Sequence, residues 1–385
     1  MAALTLTGLV PTIYEAMDVV SREQAGLVRA VAMDSNAARA AVGQAVLSPV
    51  VGAMVSENLV ASNVPADTPA QTISNVQITI SKAKSVPFGI TGEENRGLNI
   101  AGTTGTINRD RIAQAMRTLT NEIETDIAAL AGGASRAYGT AAGTPFATAG
   151  DLSDFAAARR ILADNGAPAG ELKMVLSASN VERIRGKQSS LFKVNEAGSD
   201  EMLRTGNIGV VQGFALGESA QIKPASAVGT GAAYTSSAAA FTVGQTAIPI
   251  ITGTGTVLAG DIVTFAGDTN QYIVAVGVAA PGTITLVEPG IRVAQGATAK
   301  AMTIVAATTR SMFFHRGAIQ LAIRAPAMPD GGDMADDVMT LQDPASGITY
   351  EFVIYKGKRQ IRYEVNAAWG VAVVQPRHVG LLISN

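Results

Sequence analysis

The sequence predicts an α+β protein of several parts, and three observations predict it. Residues 108–131 carry one helical apolar stripe. Alternating strand patterns flank that stripe on both sides. Further on, the 85 residues 224–308 hold only five charges, Asp261, Asp268, Glu288, Arg292 and Lys300, and Gly, Pro and Asn break them into short apolar segments. At 385 residues the chain is too long for one compact core and suits two or three domains.

Taken in order, residues 1–54 read as a mostly helical arm. Ile13, Met17, Val20, Leu27 and Val31 give a loose helical pattern between Pro11 and Pro49. Within the arm Ser35–Leu47 is Ala-rich and weakly amphipathic, too poor in large apolar residues to stand alone. Residues 55–107 read as a long two-stranded excursion. Val76, Ile78 and Ile80 alternate with Gln77, Thr79 and Ser81, and Lys82 and Lys84 continue the alternation until Pro87 ends it. A polar, Gly-punctuated stretch with Glu93, Glu94 and Arg96 follows. An isolated hairpin is marginal in water, so this excursion is expected to need a partner surface.

Residues 108–150 open with the best helix. Ile112, Met116, Leu119, Ile123, Ile127 and Leu130 step by 4, 3, 4, 4 and 3. Asn108 is the expected N-cap and Gly132-Gly133 the stop. Arg109, Arg111, Arg117, Glu122 and Glu124 keep the other faces polar. Residues 151–222 read as α/β, with Asp151 and Ser179 as helix caps, a buried strand at Lys173–Leu176, a helical turn at Glu201–Arg204 and a strand at Ile208–Val211. Residues 223–308, with strands expected at Phe241–Val243, Ile248–Ile251, Ile262–Phe265, Tyr272–Val276, Thr283–Val287 and Met302–Val305, suggest a small all-β barrel or sandwich inserted between the α/β stretches. Residues 309–385 return to mixed character, with a hairpin around Lys356-Gly357-Lys358 and a separate buried strand at Trp369–Val374.

Composition narrows the function. Net charge is −2 and only 16% of residues are charged, so no global basic field exists to hold nucleic acid. The 47% apolar content argues against disorder. No apolar run reaches the roughly 18 residues of a membrane helix. Cysteine is absent, which removes disulfides, thiolate catalysis and Cys-based metal sites and fits a reducing compartment. Met1–Val10 lacks the pattern of a signal peptide, and none is expected. Aromatics make up only 5%, while Ala, Val and 40 Gly supply small side chains suited to thin, closely approaching elements. Few charges and a near-zero net charge also favour self-association.

Chemical motifs are sparse. His315 and His378 have no carboxylate or His at metal-ligand spacing and read as structural. No Ser sits in a G-x-S-x-G elbow. Gly229-Thr-Gly231 and Gly253-Thr-Gly255 match no phosphate-binding pattern and read as turns. Asp330, Asp333, Asp336 and Asp337 read as a solvated loop, with a weak cation site as the lesser alternative. Lys356, Lys358 and Arg362 share one side of the expected hairpin, with Arg359 on the other. That basic face either contacts phosphate, meets a neighbour's carboxylates such as Glu93 and Glu94, or is simply solvated. No catalytic residue, cofactor or metal is expected.

The order of elements resembles the major capsid (coat) proteins of tailed double-stranded DNA phages, the Hong Kong 97-like fold, in the branch whose axial domain carries an inserted β-barrel. Ile78–Glu94 is similar to that family's extended loop running into the spine helix at Asn108–Ala131. Val175–Asn180, Leu191-Phe192 and Val210–Leu216 resemble the segment before the insertion, and Ala259–Gly267 a strand within it. The resemblance implies an α+β shell subunit made of N-terminal arm, extended loop, spine helix, peripheral and axial domains, and inserted barrel. It implies a homo-oligomer, an icosahedral shell of hexamers and pentamers, assembled in a host cytoplasm with a scaffolding protein around a portal protein. A decoration protein is a further candidate partner, contact with packaged double-stranded DNA is non-specific, and no membrane is involved. Contact candidates between subunits are Lys82, Lys84, Glu93, Glu94, Arg96, Arg109, Arg117, Lys356, Lys358, Arg359 and Arg362. Two other readings stand beside it: the shell of a cellular nanocompartment, which the insertion argues against, and a secreted β-rich adhesin or carbohydrate-binding protein, which leaves the long helix unexplained. An enzyme is least favoured.

Overall fold

The structure, a computed structural model, describes residues 6–21, 26–51, 73–101, 104–188, 209–225, 227–344 and 346–385. The readings of Val60–Thr72, Leu191-Phe192 and Glu201–Arg204 lie outside these residues. The chain begins with α1 (Leu6–Ser21), α2 (Gly26–Ala30), β1 (Ala32–Ala40), β2 (Ala45–Val51), β3 (Ile73–Thr79), β4 (Lys82–Thr91), α3 (Gly92–Ala101) and α4 (Thr104–Ala129). Next come β5 (Arg136–Gly139), α5 (Ser153–Asp164), β6 (Leu172–Leu176), α6 (Ala178–Lys187), β7 (Val210–Val211) and β8 (Phe214–Glu218). A strand-only stretch follows: β9 (Thr235–Ser236), β10 (Ala247–Ile251), β11 (Ile262–Phe265), β12 (Gln271–Val276), β13 (Gly282–Leu286) and β14 (Met302–Ile304). The chain closes with β15 (Thr309–His315), β16 (Ile319–Pro326), β17 (Asp337–Gln342), β18 (Thr349–Gly357), β19 (Gln360–Val373) and β20 (Val379–Ser384).

The 26-residue helix α4 organises the first layer. Its stripe, Ile112, Met116, Leu119, Ile123 and Ile127, is fully buried, each side chain contributing about 1.5–3 kcal/mol relative to exposure. Beneath it lies a sheet ordered β1-β16-β19-β18-β17, with β4 also paired to β19. Polar clips fix the helix to this sheet. Trp369 Nε1 donates to Asp126 at 2.8 Å, the Tyr350 and Thr120 hydroxyls are 2.8 Å apart, and Lys82 reaches Asp126 at 2.7 Å. The N-terminal helices pack on α4 through Leu6, Ile13, Met17, Val20 and Leu27.

A second sheet runs β7-β8-β6-β15-β20-β5-β12-β13-β10-β9, and α5 packs against it over Phe155, Ile161, Phe313 and Leu382. Its far part has a separate core of Tyr234, Phe241, Ile248, Phe265, Tyr272 and Ile284. Pairing there goes β9-β10-β13-β12-β11-β14 and returns to β9 where Ser236 N donates to Lys300 O and Met302 N to Tyr234 O, each at 2.8 Å. The stretch is not detached, because β12 pairs with β5 at Tyr272↔Arg136 and Gln271↔Ala137.

Several expectations need correction. Ser35–Leu47 falls on strands, since β1 lies parallel to β16 and β2 pairs with β3; sheet edges decided what weak Ala periodicity could not. Pro11 lies inside α1 rather than before it. The two-stranded excursion is shifted: the ribbon is β2–β3, whereas β4 lies on the chain's own body with ten residues paired to β19, Thr91↔Gln360 to Lys82↔Trp369. Pro87 does not end pairing, because β4 is an outer strand and its missing N–H leaves the ladder intact. Helix α4 starts at Thr104, so Asn108 lies inside it instead of capping it. Ser177 rather than Ser179 precedes α6, and Leu152 rather than Asp151 precedes α5, though Asp151 Oδ1 still accepts from Ser153 N at 2.9 Å. Gln360–Val365 and Trp369–Val373 belong to one strand, β19, and Phe241–Val243 forms only an isolated bridge, Phe241 to Gln295.

Candidate functional site

Among the described residues two features are candidates for meeting another molecule: the ribbon and one end of the six-stranded sheet. In the ribbon, Ala45↔Thr79 through Val51↔Ile73 pair antiparallel. Its base is held by Ile78 and Ile80 against Ala40, Ala322 and Ala368, and Ser81 N donates to Trp369 O at 3.0 Å. Gly370 permits that approach, because a Cβ there would sit 2.0 Å from Thr79 O. Val42 in the β1–β2 turn and Leu47 beyond the base are exposed.

At the sheet end, the β18–β19 turn, the end of β4 and the start of α3 converge. Gly92 N donates to Arg359 O at 3.0 Å, and Arg359 is in the left-handed region with φ 59°. Thr91 and Glu94 form a capping box at α3, with Thr91 N donating to Glu94 Oε2 at 3.0 Å and Glu94 N to Thr91 Oγ1 at 3.2 Å. The signal T-x-x-E stood in the sequence at Thr91-Gly-Glu-Glu94 and was missed. Between these elements lies a cavity of about 330 Å³, floored by Ile90, Ile361 and Tyr363 and edged by Lys356 and Arg359. Asn108 also lines it; the residue is 8% exposed, and among the described residues its buried Oδ1 accepts no hydrogen bond.

The candidate charges thus divide into groups. Glu93, Glu94, Arg96, Lys356, Lys358, Arg359 and Arg362 gather near this end, all exposed. Arg362 Nε bonds its own Glu364 at 2.6 Å and Lys356 Nζ its own Asp336 at 2.6 Å. Lys82 and Lys84 lie at the opposite end of β4 and turn toward α4, Lys82 to Asp126 and Lys84 to Glu122 at 3.5 Å. Lys82 is held above the usual lysine range, chiefly by its bond to Asp126. Arg109 pairs with neighbouring Asp110 at 2.9 Å, and Arg117 bonds Gln114. Asp333 accepts from the Tyr355 hydroxyl at 2.6 Å, which draws the carboxyl below its usual range and pushes the phenol up to about 12. Asp337 Oδ2 accepts from Leu6 N at 2.8 Å. Among the described residues no group of His, Asp and Glu is arranged to hold a metal.

The fold brings His315 and His378, distant in sequence, to 6.3 Å between ring centres. His315 Nδ1 accepts from Gly317 N at 3.2 Å, and neither ring lines the cavity above. His378 lies below the usual histidine range through burial first, then the charges of His315 and Arg377. No helix among the described residues is long and apolar enough to cross a membrane.

Compared with solved structures, the chain is similar to one in the capsid structure of cyanophage P-SCSP1u, at 10% identity, with 92% of this chain and 86% of that chain covered and a TM-score of 0.50. It shares the fold of that capsid chain. Weaker likenesses are to the capsid of a native GTA particle (11% identity, 94% and 91% covered, TM-score 0.47) and to a virus-like particle from Pyrococcus furiosus (8% identity, 97% and 98% covered, TM-score 0.46). No family model matches the chain, and no curated protein matches it in sequence.

Proposed function

We propose that this chain is the major capsid protein of a tailed double-stranded DNA phage, which self-assembles into the icosahedral head shell. The observation that carries the reading is the fold shared with the cyanophage capsid chain across 92% of this chain and 86% of that one. The ribbon supports it. A two-stranded projection with exposed apolar residues is marginal alone and gains from a neighbour's surface. In this reading α4 is the spine helix of a Hong Kong 97-like fold, the β2–β3 ribbon is the extended loop, and the β9–β14 ring is an inserted barrel domain. The protein is a structural subunit rather than an enzyme. Its partners are further copies of itself in hexamers and pentamers, a scaffolding protein, a portal protein, a decoration protein and, without sequence preference, the packaged DNA; its location is the virion head. Many modest contacts between copies hold such a shell by multivalency.

Electron microscopy of the protein under assembly conditions tests the reading. Closed particles tens of nanometres across are expected, and a preparation of monomers or small oligomers alone would contradict it. Replacing both Lys356 and Lys358 with Glu is expected to lower particle yield or DNA content; unchanged values would make that face merely solvated.

A further inference from the structure

The loop before β17 has the opposite character to the cavity. It carries Asp330, Asp333 and Asp336, all exposed, around Met334, whose side chain is 93% exposed. Gly331 and Gly332 take positive φ (99° and 86°) and set the loop off from the strand. An apolar side chain so exposed and ringed by carboxylates is a knob. The cavity is the corresponding hole, with an apolar floor and cations at the edge. A volume of about 330 Å³ admits a methionine side chain and leaves room for the main chain that delivers it.

The two lie side by side on one copy. Asp336 N donates to Ile354 O, and Lys356 Nζ reaches Asp336, so knob and hole share the same end of the sheet. A knob beside its own hole is a self-complementary patch, so two copies related by a twofold axis seat each knob in the other's hole. We infer that Met334 docks into the cavity between the β18–β19 turn and the start of α3 of an adjacent copy. The loop's Asp330 meets Lys358 and Arg359, while Lys356 stays on its own Asp336 and Asp333 on its own Tyr355. This inference rests on the shell reading and names one of its interfaces.

Cysteine engineering tests it, because the chain contains no cysteine of its own. Chains carrying Met334→Cys and chains of different tag length carrying Gln360→Cys, a cavity-lining residue, are co-assembled and oxidised. A mixed disulfide between the two chain types is expected. Met334→Asp is expected to lower particle yield about tenfold or more while leaving the Tm of the unassembled subunit unchanged, since the side chain is buried only in the contact. Wild-type particle yield from Met334→Asp, with no mixed disulfide, would overturn the docking while leaving the shell reading intact. Failure of the wild-type chain to form particles at all would overturn both.

Discussion

Glu124 shows how one buried group ties three segments together. It is 1% exposed on α4, its Oε1 accepts from Val28 N at 2.7 Å, and its Oε2 accepts from the Ser219 hydroxyl. Burial pushes its carboxyl above the usual range; the bonds to Ser219 and Val28 and the charge of Arg29 oppose that push without cancelling it. A carboxyl whose folded pKa is raised contributes stability below the unfolded pKa and loses it as pH rises through the folded value. Glu124→Gln, which keeps an acceptor for Val28 N, is therefore expected to raise Tm by about 2 °C or more at pH 8 and to flatten the decline above pH 4.5. His378 works in the other direction. Its pKa is depressed, so its contribution is present above the unfolded value near 6.5 and is lost as pH falls through the folded one. His378→Gln is expected to remove part of the acid-side loss in a thermal scan from pH 7.5 to 5. Neither effect was legible beforehand. Glu124 looked like one more polar face on a helix, because burial there is imposed by α2 and Ser219, both distant in sequence.

At the scale of elements, periodicity was enough where an element buries one face against a large core. The α4 stripe and strands such as Ile262–Phe265 follow directly from it. It failed where pairing partners decided the matter. The Ala-rich Ser35–Leu47 became strands because β16 and β3 offered them edges, and the polar Gly92–Ala101 became a helix because Thr91 and Glu94 cap it. Thr91→Ala is expected to remove about 1 kcal/mol from that helix, read as faster hydrogen exchange in α3 with α4 unaffected. The abundance of small residues also finds its reason here. Ala322, Ala368 and Gly370 let the ribbon base lie against the sheet, where a Cβ at Gly370 would meet backbone at 2.0 Å. Gly370→Ala must then shift the β3–β4 junction rather than a flexible side chain, and a destabilisation of about 1–3 kcal/mol is expected by denaturant unfolding.

For the whole molecule, the question is which parts are complete within one chain. The six-stranded sheet with α4, the β6–β15–β20 sheet with α5, and the β9–β14 ring each bury a core of their own. Even β4, expected from sequence to need a neighbour, pairs along one edge with β19. The β2–β3 ribbon differs, because beyond the base seated by Ile78 and Ile80 its Leu47 remains exposed. Removing its outer part should therefore cost the isolated subunit little and cost assembly much. Leu47 and Gln77 are register partners, so a short Gly-Ser link between them deletes residues 48–76 while Ile78 and Ile80 keep their seats. Calorimetry of this variant is expected to give a subunit Tm within a few degrees of wild type, and microscopy to show no closed particles. The pairing of the two measurements is what gives the test its force: a lowered Tm would mean the ribbon belongs to the subunit's own fold, and intact particles would mean that copies of this chain hold together without it.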